Sequence, residues 1–374
     1  MHIGHEGTVA ASELGTDRQS CAFPGICVLP TGRWLCTYRV APAKLATAGQ
    51  HVLLTWSDDE GRSWCKPREL CSPPRIEGRA GLFRAAYLTA LGGDRLLAVL
   101  CWVDHSDPSR PFFNEQTQGL LDTRILLSWS EDAGGHWSSP LLVDTAPFHM
   151  PTPITGPVLC LGNGDLACQF ELNKPYEDCG VWRHRSVLLY SRDSGRTWPE
   201  HAITSGDPAN RVFYWDQRPA VLDDGRILDL FWTYDNEAAV YLNIHARLSI
   251  DHGRTWSDLW DTGVSGQPAA PVELGDGRLA MVYVHRDGPP AIKLSCSEDG
   301  GRSWPAGSGL TIHETGLDSQ TRVKGSMQDS WAEMGAFSVG LPATSALAGG
   351  DVLVVYYAGP HADRTDIRWS RVRP

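Results

Sequence analysis

Short apolar runs of strand length alternate with polar, glycine-rich turns along the whole chain, and no long stretch repeats with the 3.6-residue period of a helix. Five of these runs, at 51–56, 124–129, 186–190, 244–248 and 292–296, are each followed by one polar phrase, Ser-x-Asp-x-Gly-x-(Ser/Thr/His)-Trp. The phrase occupies 57–64, 130–137, 191–198, 249–256 and 297–304, so its copies start 73, 61, 58 and 48 residues apart. Such spacing exceeds a helical repeat and suits a four-stranded blade with variable loops. In each copy Ser and Asp can bond the backbone of their own turn, Gly supplies a positive φ, and Trp packs back on the hairpin. The repeated Asp residues are therefore read as hairpin staples rather than catalysts.

A second repeat lies between the phrases: an apolar run, a turn containing Gly, and another apolar run. It appears at 26–36, 87–100, 158–168, 220–231, 271–283 and 345–356, with Asp224-Gly225 and Asp276-Gly277 as strong hairpin turns. One further strand closes the chain at 366–372, and a segment near 8–14 could supply its missing partner. The pattern predicts an all-β, six-bladed β-propeller of four-stranded antiparallel blades, one domain spanning 1–374.

Composition narrows the function classes. With 38 Gly, 25 Pro and 15 Trp the chain reads as turn-rich and all-β. The formal net charge of −11 argues against nucleic acid or an anionic membrane surface as partner. No apolar run is long enough to span a bilayer and no signal peptide is visible at residues 1–6, which points to the cytoplasm. The ten cysteines lack CxxC pairs and read as reduced, mostly buried thiols. No phosphate-binding loop, His-Glu-x-x-His or Gly-x-Ser-x-Gly is present, so no cofactor or metal is expected. Oligomeric state has no signature.

Strand parity places the glycine turns and the Ser/Asp/Gly/Trp hairpins on one edge of the blades. The long, irregular connections, among them 40–50, 104–122, 139–156, 172–184 and 305–340, fall on the opposite edge, where a site is expected. Here the chain resembles the sialidase superfamily, whose members carry this Asp-box phrase on a six-bladed propeller. The resemblance covers nearly the whole chain, and it implies a glycan-acting hydrolase. The family's catalytic pattern is interrupted, however. The arginine of its Arg-Ile-Pro phrase is replaced in Ala22-Phe23-Pro24, and its tyrosine nucleophile falls near 337–341, where no tyrosine stands. Its glutamate falls on Asp216, and a further arginine falls on Trp232.

Ordinary glycoside hydrolysis needs two carboxylates, and the rim offers Asp216, Glu171, Asp235 and Asp104, in that order. Sugar-binding candidates are Arg84, Arg218, Gln217, Trp215, Trp232, Tyr234, Lys174, His184 and Tyr357. Aromatic faces stack on C–H groups, and amides and cations meet hydroxyls and acidic groups. Arg84, Arg218 and Lys174 would favour an acidic sugar if they converge. Each carboxylate–arginine pair could equally be a structural bridge. Three readings stay open: a hydrolase with a repurposed site, a polysaccharide lyase using Tyr234 or His184 as base, and a non-catalytic carbohydrate-binding propeller.

Overall fold

The computed structural model describes residues 1–149, 151–305, 309–316 and 321–374. Met150, in the expected connection 139–156, and residues 306–308 and 317–320, in 305–340, lie outside the described residues. Antiparallel sheets form a β-propeller-like arrangement. Four sheets follow one another along the chain: 81–142 and 159–205 with four strands each, then 212–265 and 267–314 with five each. A further sheet has eight strands, because Ser20 pairs in parallel with Thr365 and so joins Ser20–Val28 to Arg364–Arg373. His2–Ala10 pairs antiparallel with Arg364–Arg373, six residues earlier than the segment read from the sequence.

The sheets stand face to face, and the core lies between them. Val99, Ile125 and Leu127 of sheet 81–142 pack with Phe170, Val187 and Leu189 of sheet 159–205. Leu228, Leu230 and Ala246 meet Leu279 and Met281, while Val282 and Leu294 meet Val352 and Val354. The strands second in each sheet, such as Leu96–Asp104 and Ile227–Asp235, are buried on both faces and therefore read as continuous apolar runs. Buried side chains of this size contribute about 1.5–3 kcal/mol each.

The Asp-box turns are built alike. In the copy at 191–198 the Ser191 hydroxyl donates to Asp193 at 2.8 Å and accepts the Gly195 N–H at 2.8 Å, while Asp193 also accepts the Thr197 hydroxyl at 2.6 Å. These turns share an edge with the glycine turns: Arg33 Nε donates to Asp58 at 2.7 Å, and Ala133 N–H donates to the Asp94 carbonyl at 2.8 Å. The other edge holds an element the sequence pattern did not predict, the helix Met327–Ala336 within the connection 305–340. Cys27 and Cys168 are buried, and burial pushes both thiols up to about 12; Cys160 and Cys179 are exposed. No helix among the described residues is long and apolar enough to cross a membrane.

Candidate functional site

Four innermost strands carry a β-bulge near the long-loop edge, and the bulge decides which side chain enters the channel. Register shifts fall between Ala22 and Gly25, Phe83 and Ala85, Trp215 and Arg218, and Gly340 and Ala343. A bulged residue leaves the ladder and re-aims its side chain. Phe23, Arg84, Asp216 and Leu341, one from each bulge, all line a single cavity of about 310 Å³. At Phe23, Asp216 and Leu341 φ is 52°, 50° and 43°, a left-handed conformation that costs a non-glycine residue about 1–3 kcal/mol. Ile154, Thr155 and Gln267 complete the ring from the remaining innermost segments.

The roof comes from three connections: Leu45, then Phe112 and Phe113, and then Trp331, Met334 and Gly335 of the helix. Phe113 stacks on Trp331 with centroids 4.4 Å apart and planes 9° apart. Gln328 Nε2 donates to the Glu115 carbonyl at 3.4 Å. A Cβ at Gly335 would stand 2.9 Å from the end of the Leu45 side chain, so these two segments lie in close contact. The helix begins at Ser326, whose hydroxyl accepts the Asp329 N–H at 3.1 Å. Met327 packs with Phe337, Trp215, Trp232, Tyr234 and Tyr241.

Although the chain is acidic overall, cations gather around this cavity. Arg84 lies 4.0 Å from the Phe112 ring centroid and 5.1 Å from that of Phe23, with no hydrogen bond or ion pair to any described residue. Burial lowers its pKa to about 10, which leaves it charged at neutral pH. Arg218 Nη2 stands 3.7 Å from Asp216 Oδ1, and its Nε donates to the Pro268 carbonyl at 3.3 Å. Asp216 Oδ2 accepts from Gln267 Nε2 at 2.5 Å, and Gln267 Oε1 accepts from Arg286 Nη2 at 3.0 Å. This relay leaves Asp216 half-exposed toward the cavity and fixed in direction. Glu171 is buried, with Oε2 3.5 Å from His184 Nε2 and Oε1 without a partner.

Of the sequence-selected residues, Asp216, Glu171, Arg84, Arg218, Trp215, Trp232 and Tyr357 line the cavity together. The others do not. Gln217 is fully buried because the bulge turns it away from the channel, and its Nε2 donates to the Phe170 and Val187 carbonyls at 2.8 and 3.0 Å. Tyr234 is buried, its hydroxyl accepting from Ser330 at 3.1 Å. Lys174 Nζ donates to the Gly180 carbonyl at 2.7 Å. His184 stacks on Phe213 with centroids 5.6 Å apart, behind Glu171. Asp104 is held by Arg79 at 2.8 Å and accepts the Ser106 N–H, and Asp235 is held by Arg211 at 2.8 Å and accepts the Glu237 and Ala238 N–H groups. Both carboxylates brace connections outside the cavity. Sequence reasoning passed over Lys44, Phe112, Phe113 and Trp331 as site residues. Only the helix had a readable signal, the capping pair Ser326 and Asp329.

Residues 112–316 match the family model of the BNR repeat-like domain, more than half of the chain. The chain belongs to that family. No curated protein matches it. Among solved structures, a protein of unknown function from Dyadobacter fermentans DSM 18053 is 18% identical with a TM-score of 0.71, covering 99% of this chain and 100% of that one. Hadza microbial sialidase Hz136 is 16% identical with a TM-score of 0.67, over 98% of this chain and 68% of that one. Trypanosoma rangeli sialidase, solved with sialic acid, is 12% identical with a TM-score of 0.64, over 98% of this chain and 57% of that one. At these identities the likeness is one of fold.

Proposed function

We propose that this protein is a glycoside hydrolase acting on a glycan or oligosaccharide that presents an acidic sugar. The sheets would form a six-bladed ring, the eight-stranded sheet counting as two blades joined at Ser20 and Thr365. The observation that carries the reading is Arg84, a guanidinium facing the cavity with no anionic partner of its own, beside two carboxylates that also line it. An acidic group would satisfy Arg84 by a charge-assisted hydrogen bond. Aromatic side chains, Trp215, Trp232 and Phe112, would take the sugar's C–H faces. Asp216 and Glu171 would serve as the carboxylate pair. Elimination is less favoured, since Tyr234 and His184 are both engaged behind the cavity wall.

The test is incubation with a panel of oligosaccharides bearing sialic or uronic acids, reading new reducing ends and the absorbance of unsaturated uronates. Release of reducing ends that Asp216→Asn abolishes supports hydrolysis. Turnover that survives Asp216→Asn removes Asp216 from the mechanism. Binding without either signal would make the protein a carbohydrate-binding propeller.

A further inference from the structure

Lys44 fills the cavity wall between Phe23 and Tyr357. Its Nζ lies 3.6 Å from the Tyr357 ring centroid and 5.7 Å from that of Phe23. The residue is 6% exposed, and its amine is buried with no hydrogen-bond partner. Opposite charge is scarce around it. Asp363 is near, but its Oδ1 already accepts the backbone N–H of Lys44 at 2.7 Å. Three guanidinium groups bear on the amine from three other elements. Arg39, on Trp34–Ala41, donates through Nη1 to the Lys44 carbonyl at 3.1 Å. Arg84 reaches in from Gly81–Ala90. Arg286, just past Leu279–His285, lies 3.5 Å from the Phe337 ring centroid and meets the Tyr357 side chain. Tyr357 itself is pushed up to about 12 by burial and stays uncharged.

The face of an aromatic ring attracts an ammonium by about 0.5–2 kcal/mol. Stripping an ion of water costs several kcal/mol even after the protein relaxes. Desolvation therefore outweighs the ring, and the neighbouring guanidinium charges add to it. Together they hold Lys44 well below the ordinary lysine range.

We propose that Lys44 stands as an uncharged amine in the empty cavity and takes up a proton when a carboxylate-bearing ligand enters, so that binding and protonation are one coupled event. The proposal rests on the acidic-ligand reading above. An entering carboxylate offsets the field of Arg39, Arg84 and Arg286 and supplies the counter-charge that Lys44 lacks. The balance is one ligand anion, one amine and one solvent proton giving a complex with one ammonium. Because a proton is gained on binding, affinity rises as pH falls, by at most about tenfold per pH unit between the free and bound midpoints.

The test combines two measurements on the full chain. The protein has five lysines, Lys44, Lys66, Lys174, Lys293 and Lys324, so lysine labelled with ¹³C at Cε gives a short spectrum in which Lys44→Met assigns one resonance. In the ligand-free protein at pH 7 the Lys44 resonance should report a neutral amine. Titration calorimetry with N-acetylneuraminate and with glucuronate, in buffers of different ionisation enthalpy, should show uptake of about one proton that Lys44→Met abolishes. A charged Lys44 in the free protein overturns the proposal. So does binding without proton uptake, which leaves the acidic-ligand reading standing. Failure of both sugar acids to bind removes that reading, and the coupling falls with it.

Discussion

Gln217 lies next to Asp216 in the sequence, yet the bulge gives the two side chains opposite tasks. The Gln217 amide crosses from sheet 212–265 into sheet 159–205, donating to the Phe170 and Val187 carbonyls and accepting the Thr204 hydroxyl at 2.9 Å. Substituting Gln217→Met keeps the volume and removes every hydrogen bond. Three buried polar groups then each lose a hydrogen bond, at roughly 1–3 kcal/mol each. Partial relaxation brings the expected loss to about 3–6 kcal/mol, a large share of the roughly 5–15 kcal/mol of an ordinary domain. With an unfolding entropy of about 2.1 cal/mol/K per residue, that loss lowers Tm by roughly 4–8 °C for a chain of 374 residues. The assay is thermal and urea unfolding of the variant beside calorimetric affinity for whichever sugar acid binds. Tm should fall while affinity per folded molecule is kept. A Tm within about 1 °C of the parent, or lost affinity at unchanged stability, would refute the assignment of Gln217 as a strut between sheets.

Arg84→Gln should weaken binding of an acidic sugar about 10- to 100-fold, the worth of one charge-assisted hydrogen bond, and should flatten the salt dependence of affinity measured by calorimetry. Trp331→Ala removes a stack worth about 0.5–1.5 kcal/mol, so amide exchange should quicken together in the segments around Phe113 and along Met327–Ala336 while the sheets stay protected. Hydrogen bonds from the hydroxyls of Ser63, Thr197 and Ser303 help hold Asp59, Asp193 and Asp299 at about 2. A carboxyl lowered in the folded state stabilises it above the unfolded value of about 3.9, and that contribution is lost as pH falls through the folded value. Urea stability followed by tryptophan fluorescence should therefore drop between about pH 4 and pH 2, and less steeply in Asp193→Asn.

The repeated turns made the sheet arrangement legible, because Ser191, Asp193, Gly195 and Thr197 bond mainly one another and so leave a local trace in the sequence. Asp216 and Arg84 were legible as residues at the start of innermost strands. Gln217 was misplaced because strand parity flips at a bulge, and a one-residue slip sends a side chain to the other face. Asp104 and Asp235 were misplaced for another reason. Their arginines, Arg79 and Arg211, lie 25 and 24 residues away, and pairing across that distance leaves no sequence period. Lys44 had no signal at all, since its surroundings come from four separate strands.

The bulges also bear on how such a site can change. A residue that has left the ladder owes its neighbours no pairing, so its side chain can be exchanged without disturbing the strand that carries it. Four such sockets here hold an aromatic ring, a cation, an anion and an aliphatic chain: Phe23, Arg84, Asp216 and Leu341. Chemical identity at the mouth is thus decoupled from the scaffold that presents it. Refitting Leu341 as arginine or glutamate would rewrite the cavity's charge through one codon, with φ at 43° already accommodating an unbranched-β side chain.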